Sequence, residues 1–288
     1  MSTWRLSFLC VTSSAWFSLS PLVGEASAES LAWTEDLNAA LASAAKAKKP
    51  VLVGLYVPYV ETDLERQDSA LLSRATKKRL DSFVLVKQSL LDNPKWRRGM
   101  TWRMPRYLFM DSSGIIVHDH GGKLDSVAFT AFEGSSRTRE RLEQAQAASP
   151  ASFDANHEIA SWYSERLNRA ESVKYFKLAA ENQKEPMRRW QVLLELSQAC
   201  VPRSAGWHDE RTAAWALDEI ERDGSEAAKV FKSKAQLRRV EIDLELGQVQ
   251  PALEKAKSFL KRSPKDDLAG DMLVRLIYGL STTGDYAG

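Results

Sequence analysis

KPVLVGLYVPYVETDLERQ, Lys49 to Gln67, has the shape of a buried strand running into a helix. Val51 to Val57 is a short apolar run suited to a strand covered on both faces, as in the middle of a parallel sheet. On its N-terminal side, Glu35 to Lys48 is alanine-rich and helical, with Thr34 placed to cap it. On its C-terminal side, Ser69 to Leu80 reads as helix and Phe83 to Val86 as a second buried strand. Arg106 to Met110 and Ile115 to His118 form two more strands. Asp111-Ser112-Ser113-Gly114 between them is a tight-turn composition that favours a hairpin. Ser136 to Ala148 is helical, and Ser149-Pro150 breaks it.

From Ser152 onward no strand pattern occurs. Apolar residues recur at helical spacing in Ile159, Trp162 and Tyr163, in Val173, Phe176 and Ala179, and again in Leu253, Ala256 and Phe259. Loops holding Pro186, Pro202, Gly224, Gly247 and Pro264 separate them. The expected organisation is an α/β unit over residues 29–149, then an all-α array of helical hairpins over 150–288.

Residues 1–28 read as an export signal. Arg5 is the basic flank, Leu6 to Val23 is mostly apolar, and Ala26-Ser27-Ala28 fits a cleavage site before Glu29. An uncleaved anchor is the alternative. Several serines and Pro21 interrupt the run, which disfavours a span of ~20 apolar residues. The expected product is exported, to a periplasm or the extracellular space, with no stable membrane span. The net charge of +2 favours neither nucleic acid nor an acidic membrane as partner. Cleavage removes Cys10 and leaves Cys200 as the sole thiol. One cysteine forms no internal disulfide and runs no dithiol–disulfide cycle.

On three stretches, Trp33 to about Ala148 resembles an exported thioredoxin-like domain. They are WTEDLNAALASAAKAKKPVLVGLYV (Trp33–Val57), FVLVKQSLLD (Phe83–Asp92) and MPRYLFMDSSGIIV (Met104–Val117). The resemblance implies a cis-proline at Met104–Pro105, opening the third central strand ahead of an acidic-to-glycine turn; an ordinary trans proline opening an edge strand is the alternative. It also implies that the redox cysteine pair of the family falls on Val60 and Asp63. Valine does not ionise, and Asp63 reads as a helix-start residue. The scaffold is expected without its chemistry.

The second half resembles tetratricopeptide repeats, carried by LGQVQPALEKAKSFLKRSP (Leu246–Pro264) and, in a first unit, by Tyr163, Ser172, Phe176 and Ala179. Ser172, Ala213 and Ala252 are spaced by 41 and 39 residues, longer than the family period of about 34. Gly284 and Tyr286 look like the turn of a further unit.

Lys95 to Arg106 (KWRRGMTWRMPR) is basic and aromatic with no acid. Trp96, Arg97, Arg98, Trp102 and Arg103 are either a recognition loop beside the Met104–Pro105 groove, where extended peptides pair with backbone, or a solvated loop whose tryptophans pack on the domain. His118-Asp119-His120 puts two histidines on one strand face, but a metal site needs further ligands and no other His or Cys lies near. Cys200 sits in an apolar helical pattern and reads as a buried structural cysteine. No catalytic residue, metal site or cofactor is assigned. The expected function is non-catalytic protein or peptide binding. The alternative is a thiol-redox accessory acting through Cys200 or presenting substrates to a partner oxidoreductase.

Overall fold

The fold comes from a computed structural model, which describes residues 31–57, 74–90, 105–201 and 208–283. An α/β half is followed by a helical half, as expected. Helix α1 (Leu37–Ala47) precedes β1 (Val51–Tyr56), and α2 (Arg74–Leu80) precedes β2 (Val84–Ser89). The hairpin β3 (Arg106–Met110) and β4 (Ile116–Gly121) follows, then the long helix α3 (Ser126–Ala148). The sheet is mixed, in the order β2-β1-β3-β4. β1 runs parallel to β2 and antiparallel to β3, and β3 runs antiparallel to β4.

The apolar run of β1 is central because both of its faces are used. Val51, Val53 and Leu55 pack under α1 with Leu108 and Met110, while Leu52 faces Phe83, Phe109 and Phe129 on the other side. The β3–β4 turn forms as its composition predicts. Asp111 Oδ1 accepts from the backbone N–H of Ser113 at 2.8 Å and of Ile115 at 2.9 Å, and Gly114 takes φ +88°. That left-handed position favours glycine.

Three boundaries differ from the sequence reading. The cap of α1 is Asp36, whose side chain accepts from the Ala39 N–H at 2.9 Å; Thr34 instead bridges β2 at Val86. Strand β4 runs past His118 to Gly121, so the His118-Asp119-His120 stretch lies within the strand. Helix α3 starts ten residues before Ser136, because Asp125 caps it by accepting from the N–H groups of Val127 and Ala128. Phe129 and Phe132 then anchor its first turns on the sheet.

The helical half comprises α4 (Phe153–Glu165), α5 (Arg169–Asn182), α6 (Pro186–Cys200), α7 (Glu210–Arg222), a 3-10 turn (Glu226–Ala228), α8 (Lys229–Glu245), α9 (Val249–Arg262) and α10 (Ala269–Thr283). Helices α4–α5, α6–α7 and α8–α9 are antiparallel hairpins. Ser172, Ala213 and Ala252 are each the fourth residue of the second helix in their hairpin, and all three are buried. Small side chains there let the first helix approach closely. Leu167 and Gly247, at the tips of the first and third hairpins, both take positive φ. The first helices form the closer layer: α6 packs on α8 and α8 on α10.

The two halves share a core. Val117 of β4, Leu142 of α3, and Ile159, Trp162 and Tyr163 of α4 form one cluster. Among the described residues, no helix is long and apolar enough to cross a membrane.

Candidate binding cleft

Helix α4 has two faces. Ile159, Trp162 and Tyr163 turn inward, while His157, Ser161 and Ser164 recur at i, i+4 and i+7 on another face. Gln191, Glu195 and Gln198 repeat the same spacing on α6. Between these polar stripes, in the layer of first helices, lies an open cleft of about 350 Å³. Phe176 of α5 contributes an apolar patch to it, and Arg169, the first residue of α5, lines it as well.

One polar pair spans the cleft. His157 Nε2 lies 2.7 Å from Glu195 Oε2, and Gln191 Nε2 donates to Glu195 Oε1 at 2.8 Å. Burial pushes the Glu195 carboxyl up, but the hydrogen bonds from His157 and Gln191 and the attraction of His157 outweigh it. Glu195 is therefore held below the ordinary carboxyl range and is ionised at neutral pH. The His157 ring is fixed by stacking on Phe153 at 5.5 Å and by Phe176 at 5.8 Å. No hydrogen bond joins His157 to Ser161 or Ser164, so the cleft holds hydroxyls and a carboxylate–imidazole pair without a nucleophile seated on a base. Its chemistry is that of fixed donors and acceptors beside an aromatic face.

Of the residues singled out by sequence, Val60, Asp63, Trp96, Arg97, Arg98, Trp102, Arg103 and Met104 lie outside the described residues. Pro105 is buried at the start of β3, and its carbonyl accepts from the Gly122 N–H at 2.7 Å. Behind it, the buried Arg106 guanidinium is paired with Asp119, and burial pushes it down to about 10. His118 and His120 share a face with ring centres 6.2 Å apart. His118 Nε2 is buried without a partner, whereas His120 Nε2 lies 2.9 Å from the Lys123 carbonyl. Among the described residues no three metal-ligating side chains come together. Cys200 is fully buried, and burial, reinforced by Asp209 against the opposing Arg238, pushes its thiol up to about 12.

The cleft pair escaped the sequence reading. The signal for half of it was present: a polar stripe at helical spacing, back to back with the apolar one on α4. The pairing of His157 with a carboxylate on another helix needs the hairpin geometry. No protein-family model matches this chain, and no curated protein matches it.

Proposed function

We propose that this chain is a non-catalytic, exported binding protein, in which a thioredoxin-like scaffold without its redox pair carries a tetratricopeptide-like array that takes a protein or peptide segment. The observation that carries the reading is the cleft between α4 and α6, a concave, polar and partly aromatic surface in the inner layer of a helical array. The strand order β2-β1-β3-β4 with its parallel and antiparallel pairs suits the scaffold reading, and the common position of Ser172, Ala213 and Ala252 suits the repeat reading.

Capture of a peptide as an added strand is disfavoured at both edges of the sheet. On β2, Thr34 accepts from the Lys87 N–H at 2.8 Å and donates to the Leu85 carbonyl at 3.0 Å. On β4, Asn168 and Arg166 occupy the groups of Ile116 and Val117. Edge pairing is one of the main ways a sheet recognises peptides, which leaves grooves and helix faces. The thiol rival needs a thiolate, and a fully buried Cys200 with a raised pKa is a poor source of one.

The test uses a photo-crosslinking amino acid at Gln198, on the exposed rim of the cleft. The mature protein in its envelope fraction is expected to give one discrete adduct. Ser161→Trp, which puts a large ring in the lining of the cleft, is expected to abolish that adduct while leaving the circular dichroism spectrum unchanged. An adduct indifferent to Ser161→Trp sinks the cleft reading, and crosslinks obtained only from Arg97 or Trp102 would move the site to the basic loop.

A further inference from the structure

Every arginine that is at least partly buried among the described residues faces an acid, with one exception. Among the described residues, Arg106, Arg139, Arg189, Arg238, Arg239 and Arg275 are at least partly buried, and each faces an Asp or Glu within 4.0 Å. Arg166 beside the cleft follows the rule, holding Glu165 at 3.2 Å. Arg169 does not. It is partly buried, it lines the cleft, and neither a hydrogen bond nor an ion pair reaches its guanidinium. Burial alone acts on it, lowering its pKa. A cation stripped of part of its water with no counter-charge is left unpaired in the folded protein, and a ligand anion can supply what is missing.

We propose that Arg169 makes the inner cleft a carboxylate-binding site, which receives the α-carboxylate or an acidic side chain of a bound peptide. The proposal rests on the cleft reading above and names the group recognised there. A planar guanidinium matches a carboxylate with two parallel N–H donors. Ser161 and Ser164 add neutral hydroxyl donors in the same cleft. The other charges of the cleft favour a single negative charge over a double one. Glu195 is ionised and already engaged by His157 and Gln191, and Glu165 is engaged by Arg166. Both repel a dianion such as phosphate more strongly than a carboxylate.

The full mature chain is titrated with four probes: N-acetyl-Ala-Ala-Ala-Phe with a free carboxylate, the same peptide as its amide, the amide with Glu replacing the third Ala, and inorganic phosphate. Binding is followed by calorimetry and by the Arg169 Nε–H resonance. The expected result is that at least one carboxylate peptide binds about tenfold or more tighter than the neutral amide, the scale of one charge-assisted pair. The two acidic probes show whether the source is a chain end or a side chain. Arg169→Gln is expected to abolish that preference and Arg169→Lys to keep part of it, with unchanged melting temperature in both.

Equal affinity of acid and amide, a preference that survives Arg169→Gln, phosphate as the tightest probe, or no binding of any probe at millimolar concentration each overturns the proposal. Ser161→Trp separates the two levels. If it abolishes binding while acid and amide bind alike, the cleft reading stands and the carboxylate inference falls. If it leaves peptide binding untouched, both fall.

Discussion

Asn168 and Ile116 hold each other by two hydrogen bonds across 52 residues of chain: the Ile116 N–H donates to Asn168 Oδ1 at 2.9 Å, and Asn168 Nδ2 donates to the Ile116 carbonyl at 2.7 Å. The side-chain amide imitates the next strand of the sheet. It is offered by the tip of the first helical hairpin, where Leu167 adopts φ +61° and packs against the α1 face of the sheet. Arg166, one residue earlier, donates from Nε to the Val117 carbonyl at 3.1 Å. The hairpin tip thus finishes the edge strand β4 and docks the helical array on the sheet at the same point.

Asn168→Ala leaves a buried N–H and a buried carbonyl without partners. A cost of ~2–4 kcal/mol is expected, since each orphaned group carries its desolvation penalty. Urea unfolding reads the loss. Hydrogen exchange at the Ile116 amide should accelerate selectively, and unchanged protection there would show that the pair does not bind the halves together.

Ser172 offers a substitution of the opposite sign. Its hydroxyl is fully buried and has no hydrogen-bond partner, while the matching positions of the second and third hairpins are Ala213 and Ala252. Ser172→Ala removes an unsatisfied group and keeps the small volume that the hairpin needs. A gain of ~1 kcal/mol in unfolding free energy is expected. A loss would mean that the first hairpin is not packed as the other two are.

The parts legible in the sequence are those decided by neighbours in the chain. Val51 to Val57 shows a buried strand because nearly every residue in it is apolar, and Asp111 to Gly114 shows a turn because an Asp side chain and a glycine suffice to make one. Helix α3 is only half legible. Its first turns, SVAFTAF, carry β-branched and aromatic residues of modest helix propensity, and they are helical because Phe129 and Phe132 gain packing on Phe109. Trp162 and Tyr163 fit the apolar stripe of α4, yet only the fold shows that they close the junction with Val117. That makes them structural residues and unsuitable as surface probes of binding. Asn168, Glu195 and Arg169 belong to a different class. The first two act on partners 52 and 38 residues away, and the third is defined by lacking a partner, which can be read only when the others have theirs.

Cys200 should be inert in the folded protein. With no exposed surface and a thiol pushed up to about 12, it offers neither access nor thiolate at pH 8. Labelling by a disulfide reagent is expected to be slow and limited by opening of the array, then fast and stoichiometric in denaturant. Prompt labelling without denaturant would revive the thiol-accessory alternative.

The register of the lost redox pair is testable by restoring it. Val60→Cys with Asp63→Cys places two thiols at the expected helix start, where free N–H groups and the helix dipole lower a thiol pKa. The double variant, in a Cys200→Ala background, should form an intramolecular disulfide under mild oxidation and reduce insulin measurably, whereas the unmodified chain does neither. Two free thiols after oxidation would show that these positions do not face each other.

His118 should make stability fall with acidity. Its ring lies on Phe109 at 5.8 Å with Nε2 buried and unpartnered, and burial first, then the charges of His120 and Arg166, push its pKa down from 6.5 to about 4. The unfolded chain therefore binds a proton that the folded chain refuses anywhere between those two values. The neutral ring's contribution is complete above pH 6.5 and is lost progressively as the pH drops toward 4. His118→Phe keeps a flat ring in the aromatic cluster and removes the titration. Its urea midpoint should fall less between pH 7 and pH 4.5 than that of the unmodified chain, with the two curves closest at neutral pH. Parallel curves across that interval would mean that His118 is protonated in the folded protein and that its ring is not held in the apolar layer.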